Sequence, residues 1–173
     1  MSIVDIVDEN NNMTGEKMDL KEVLKNNIWH REVAIIVMNT QERVLVQKEN
    51  SSNLWTVTTG VVESEEGPIF SAVRAINKQF VIKATNSDLK LLKVIKNQDD
   101  TNNHFTYYYL LKGDYKLTNL ELKKEDSAKL RFLSFDDIME KIDLQEDFFE
   151  NNLKNDFVEL LNAYKKRLIE NYD

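Results

Sequence analysis

The chain has no cysteine among its 173 residues. That excludes disulfides, zinc–thiolate sites and a cysteine nucleophile. It has one proline and four glycines, against plentiful asparagine and lysine. This bias reads as base composition rather than function, and it removes weight from any single Asn or Lys. No apolar run approaches the roughly 20 residues of a membrane-spanning helix. Asp5 and Asp8 open the chain with no basic patch ahead of an apolar stretch, so a signal peptide is not expected and the cytoplasm is the expected location. Positive charge is also in short supply. Lys and Arg number 23 against 30 Asp and Glu, a formal net charge of -7, which disfavours a nucleic-acid backbone as partner.

The hydrophobic content is 42%, and the length suits one domain over residues 1–173 with a proper core. No repeat, linker or break in composition divides it. Residues 3–7 read as a short strand, 8–12 and Thr14-Gly15 as turns, and Asp19 with Glu22 as a capping box opening a helix to about Asn26. Residues 32–38 are β-branched and apolar, a buried strand expected to form a hairpin with 44–47. Pro68 suits the first turn of a helix. After it, Ile69, Ala72, Val73, Ile76 and Phe80 recur at helical spacing. Residues 89–95, 105–111 and 129–133 read as strands, with Ser134 and Asp137 capping a short helix to Ile142. From about 147 to 172 the chain reads as a long amphipathic helix, with Phe149, Leu153, Phe157, Leu160, Leu161, Tyr164 and Leu168 on one side.

The segment from Gly60 to Ile82 carries the chemical signal. Gly60 is followed after five residues by Glu66, then after seven by Arg74, with Ile76 and Ile82 beyond. This outline resembles the Nudix box: Gly, five residues, Glu, seven residues, Arg-Glu-apolar-any-Glu-Glu-any-Gly-apolar. The order of the remaining segments, over about residues 1–145, is similar to the branch that includes isopentenyl-diphosphate isomerases and their hydrolase-like relatives. It rests on Val4 to Asn11, His30-Arg31, the run Leu54-Trp-Thr-Val-Thr-Thr-Gly60, and Leu130 to Asp137. The resemblance implies an α/β/α sandwich with a mixed central sheet, here with a long C-terminal helix added. It also implies a hydrolase of nucleoside or other organic diphosphates that uses magnesium or manganese.

The box is degenerate where the chemistry sits. Ala75, Lys78 and Gln79 replace its three helix glutamates, and Val81 replaces its second glycine. Positions 75, 78 and 79 share one helical face. Three carboxylates there would make a hard oxygen site for a divalent cation, and one could serve as general base. A methyl, an ammonium and an amide cannot. The isomerase activity needs a cysteine, which is absent, and histidine ligands, of which His30 alone is suitably placed, since Val61 follows Gly60.

Two functions remain open. One is a catalytically impaired module that binds a nucleotide-like or diphosphate small molecule. The other is an active pyrophosphohydrolase with metal ligands drawn from outside the helix. Glu66, Arg74, Glu125 and Asp126 are the catalytic candidates, and Glu63 and Glu66 the weak metal candidates. Arg74 would otherwise pair with Glu63, Glu65 or Glu66 and pin the loop to the helix. Glu66 could also be a carboxylate at the helix N-terminus. Trp55, Gly60, Lys78 and Tyr107 are the ligand-binding candidates, with core packing and a solvated lysine as the competing readings. Tyr107 and Tyr109 should share a face, with Tyr108 on the other. His30 is expected at a strand edge and His104 in a loop.

Overall fold

The computed structural model describes residues 2–48, 52–120, 129–144 and 147–172. Its strands are β1 (Ile3–Val7), β2 (Met13–Asp19), β3 (His30–Met38), β4 (Val44–Lys48), β5 (Trp55–Thr56), β6 (Thr58–Val61), β7 (Leu89–Gln98), β8 (Asn103–Lys112) and β9 (Lys129–Leu133). Its helices are α1 (Leu20–Lys25), α2 (Pro68–Gln79), α3 (Phe135–Leu144) and α4 (Asn151–Tyr172).

The main sheet has the order β5-β4-β3-β8-β7, with β6 paired to β3 and β9 to β4. β3 and β8 run parallel, while β7 and β8 are antiparallel, so the sheet is mixed. β3 is apolar on both faces because helices cover both. Val33, Ile35 and Val37 pack with Ala72, Ala75 and Ile76 of α2. Ala34, Ile36 and Met38 pack with Ile138 of α3 and with Leu153, Phe157 and Leu160 of α4. The result is the expected α/β/α sandwich. The tail helix is the second helical layer itself: Phe157, Leu160 and Tyr164 are all buried.

Local sequence explains most boundaries. Gly67 and Pro68 open α2, since proline lacks the N–H that a first turn cannot use. Asp19 accepts from the Lys21 N–H and caps α1, and Ser134 accepts from the Asp137 N–H and caps α3. Tyr107 and Tyr109 fall on the α2 side and Tyr108 on the α4 side.

Three expectations are corrected. Thr14 and Gly15 are inside β2, not a turn. That strand is polar and mostly exposed, so no alternation marks it, and Gly15 supplies a φ of 87° within it. Phe149, expected on the tail helix, precedes α4 and bridges to Trp55; the hairpin of β3 and β4 does form, paired at Met38 and Val44. β6 takes the flank of β3, opposing Val33 with Gly60 and Ile35 with Thr58. His104 belongs to β8 rather than to a loop, and His30 opens β3 fully buried.

Candidate functional site

The box loop, residues 62–67, leads from β6 into α2 and is held by side chains. Arg74 donates through Nη2 to Glu66 Oε1 at 3.1 Å and to the Val61 carbonyl at 3.2 Å. Its Nη1 is 3.9 Å from Glu63 Oε1. Ser71, fully buried, donates a short hydrogen bond to Glu66. Burial alone would raise the Glu66 pKa, but Ser71 and Arg74 hold it below the usual glutamate value. From the far side, Ser64 donates to Asp5 at 2.9 Å and Lys17 pairs with Glu65 at 2.6 Å. Val4 bridges to Glu63.

The helix face behind this loop offers no anion. Ala75 is 8% exposed and turned toward Gly60, where an added Cβ would come within 3.2 Å of the Ala75 Cβ. Lys78 is exposed. Glu63 and Glu66, two of the loop carboxylates, both face Arg74. A divalent cation does not fit this donor set. Glu125 and Asp126 lie outside the described residues.

The other sequence candidates are dispersed. Trp55 is buried on the α4 face, stacked on Phe148 at 5.9 Å, with the Arg131 guanidinium 5.6 Å from its ring centroid. Tyr107 lies on the α2 face. Its hydroxyl accepts from Asn11 Nδ2 at 2.8 Å, and Arg31, itself held by two hydrogen bonds to Asn11, stands over its ring.

A second constellation forms on the α4 face. Because β3 and β8 pair in parallel with His30 opposite His104, two histidines distant in sequence become neighbours, their ring centroids 5.7 Å apart. Glu32 Oε2 lies 2.8 Å from His30 Nε2 and 3.7 Å from His104 Nδ1, and accepts from Asn102 Nδ2 at 3.4 Å. His30 Nδ1 faces the Ile28 carbonyl at 3.0 Å. Both ring nitrogens of His30 are therefore within hydrogen-bond distance of oxygen atoms. Burial alone would raise the Glu32 pKa, but the His30 hydrogen bond and the nearby His104 bring it below the ordinary value. Burial lowers the His104 pKa. Its Nδ1 is buried with no hydrogen-bond partner.

These groups border a cleft of about 340 Å³ between the sheet and the start of α4, lined by Glu32, Ser52, Leu54, Thr56, Thr59, Glu150 and Asn152. A narrow recess continues inward past His104, Thr106 and Tyr108. Under its floor Asp156 of α4, 3% exposed, accepts from the Tyr108 hydroxyl at 2.6 Å and from Asn97 Nδ2 at 3.3 Å. Burial raises the Asp156 pKa. Sequence reasoning missed Glu32, His104 and Asp156. The available signal was polar residues inside apolar strands, at 32, 104 and 106, all on one face by alternation.

A larger cavity of about 550 Å³ lies between β7 and α4, bordered by Lys93, Lys166 and Arg167. No buried polar group opens into it. Among the described residues no three His, Asp or Glu are grouped to hold a metal ion, and no helix is long and apolar enough to cross a membrane.

Known proteins share this architecture. DR0079 from Deinococcus radiodurans is 15% identical, with a TM-score of 0.74 over 94% of this chain and 99% of that one. A MutT protein from Methanosarcina mazei Go1 is 12% identical, with a TM-score of 0.62 over 79% and 96%. The NUDIX domain of NrtR from Shewanella oneidensis, solved with ADP ribose, is 14% identical, with a TM-score of 0.59 over 87% and 99%. At such identities these likenesses concern the fold. No curated protein matches the chain in sequence. The NUDIX domain model matches residues 28–153, which include the box, both buried histidines and the first turn of α4, and the chain belongs to the Nudix domain family.

Proposed function

We propose that this chain is a catalytically impaired Nudix module that binds a nucleotide-like or diphosphate-bearing small molecule. We place it in the branch related to isopentenyl-diphosphate isomerases and take residues 1–173, α4 included, as one unit acting in the cytoplasm. The observation that carries the proposal is the box face: Ala75, Lys78 and Gln79 stand where three carboxylates would hold a metal. Of the three loop carboxylates, Glu63 and Glu66 face Arg74 and Glu65 pairs with Lys17. They hold the loop in shape rather than hold a cation. What supports ligand binding is the cleft on the opposite face, which has the size of a small-molecule site and polar groups left open.

Loss of a general base costs roughly 10²–10⁴ in rate, and loss of the metal removes several kcal/mol of charge stabilisation besides. Hydrolysis of nucleoside diphosphate sugars, dinucleoside polyphosphates and nucleoside triphosphates with magnesium should therefore stay far below the usual ~1–10³ s⁻¹. Turnover in that range on any of them, abolished by chelation, would instead establish the alternative: an active pyrophosphohydrolase with ligands outside the helix.

A further inference from the structure

We propose that the cleft on the α4 face takes the amino-bearing end of its ligand, with Glu32 as the residue that selects it, and leaves any phosphate facing outward. The inference rests on the reading of this chain as a nucleotide-like ligand binder. Three observations carry it.

The first is the orientation of Glu32. Its Oε2 is fixed by His30 at 2.8 Å and Asn102 at 3.4 Å, while Oε1 has no hydrogen-bond partner among the described residues and the side chain lines both the cleft and its recess. A carboxylate with one oxygen anchored and the other open is a positioned acceptor for an N–H. The second is His104. It is 1% exposed, lines the recess, and has an Nδ1 with no partner. A buried polar atom left unpaired is destabilising, so a ligand group or water that reaches it is stabilised there. The third is charge. The described lining contains Glu32 and Glu150, the hydroxyls of Ser52, Thr56 and Thr59, and the Asn152 amide, with no lysine or arginine. Glu150 is already committed: its two oxygens accept from the Asn152 and Leu153 N–H groups at 3.1 and 3.2 Å and cap α4. A phosphate placed here would face carboxylates with no compensating cation. An exocyclic amine on a heterocycle would find Glu32 Oε1 waiting.

The cleft size suits one base with its sugar. Tyr108 lines the recess, and its hydroxyl is taken up by Asp156. Selectivity follows from hydrogen-bond accounting. An amine satisfies Glu32, whereas a carbonyl oxygen in the same place opposes it with a lone pair and leaves the carboxylate desolvated.

The test uses the intact protein and nucleosides without phosphate, titrated by calorimetry in matched pairs: cytidine against uridine, adenosine against inosine, and guanosine against xanthosine. Expected is at least one amino nucleoside that binds roughly tenfold or more tighter than its carbonyl counterpart, and is not displaced by inorganic diphosphate. The preference should vanish in Glu32→Gln. Since Glu32 also anchors His30, Thr59→Val provides a second variant that leaves that pair intact. It should weaken amino and carbonyl partners alike and keep the preference. Equal binding of amino and carbonyl partners, or displacement by diphosphate, would overturn the inference while leaving a ligand-binding module standing. Nucleotides that bind with no preference for the amine would do the same. No binding of any nucleoside or nucleotide would remove both.

Discussion

On the α2 face the polar side chains of the box loop satisfy one another, while on the α4 face several stay open to a cleft. Glu66 has Ser71 and Arg74, Ser64 has Asp5, and Glu65 has Lys17. Among the described residues His104 Nδ1 has no hydrogen-bond partner, and Glu32, anchored through Oε2, lines the recess. Both faces contain carboxylates close to positively charged or donor groups. The difference is whether the protein itself completes the set. A completed network fixes a loop and specifies its geometry, whereas an incomplete one in a concave site is placed for something that arrives from outside. The segment that carries the family signature is thus the more structural of the two regions.

Core truncations on the two sides break the comparison most strongly. Phe157→Ala and Ile76→Ala should each cost about 2–5 kcal/mol in denaturant unfolding, since both side chains are fully buried. Their effects on ligand should diverge. Phe157 anchors the helix that roofs the cleft, so its loss should also weaken nucleoside binding. Ile76 lies behind the sheet, and where the variant remains folded its affinity should match the parent.

Smaller effects come from the networks. Glu66→Ala leaves the buried Ser71 hydroxyl without its acceptor and frees Arg74, costing about 1–3 kcal/mol, with no change in cleft affinity. Tyr108→Phe removes the principal donor to Asp156 and should cost a similar ~1–3 kcal/mol at neutral pH, with reduced affinity because the recess floor loosens. The Tyr108→Phe penalty should shrink in acid. The folded Asp156 pKa is raised above its ordinary 3.8, so the folded state takes up a proton first and the stranded charge disappears. Unfolding measured between pH 7 and 4 checks this.

The parent has a pH signature of opposite sign. The His104 pKa is lowered from 6.5 and that of Glu32 from 4.5. In both cases the unfolded chain binds the proton more readily, so stability falls as pH drops below 6.5 and again below 4.5. Glu32→Gln should reduce the second loss and leave the share that Glu66 contributes. The weakest effect is expected at Lys78, exposed on α2. Lys78→Ala should stay within about 0.5 kcal/mol and leave nucleoside binding unaltered.

Much of the fold was legible because it is local. The proline at 68, the caps at Asp19 and Ser134, the apolar stripe from Leu153 to Leu168 and the strand at 129–133 each follow from short-range rules. The pairing of Arg74 with the loop glutamates was also within reach, since the spacing brings them to one helix end. The α4-face cluster was not. It exists because β3 and β8 are parallel neighbours: each strand's pattern shows a polar residue in an apolar run, but neither shows that a register offset of 74 positions brings the two together. His30 and His104 each looked isolated for that reason. β2 was missed for a different one: a polar strand pairing only with β1 buries little, so no alternation records it.

The box face is chemically silent if magnesium leaves the thermal unfolding of the parent unchanged beside the variant Ala75→Glu, Lys78→Glu, Gln79→Glu. Binding that favours the folded state raises stability by RT ln(1 + [L]/Kd). The parent melting temperature should not move with magnesium up to about 1 mM. The variant should melt lower without metal, from repulsion among three carboxylates on one face, and recover as magnesium is added. A rise in the parent at micromolar magnesium would contradict the account, and a variant that does not respond would show that Arg74 is not aligned with the arginine of the box.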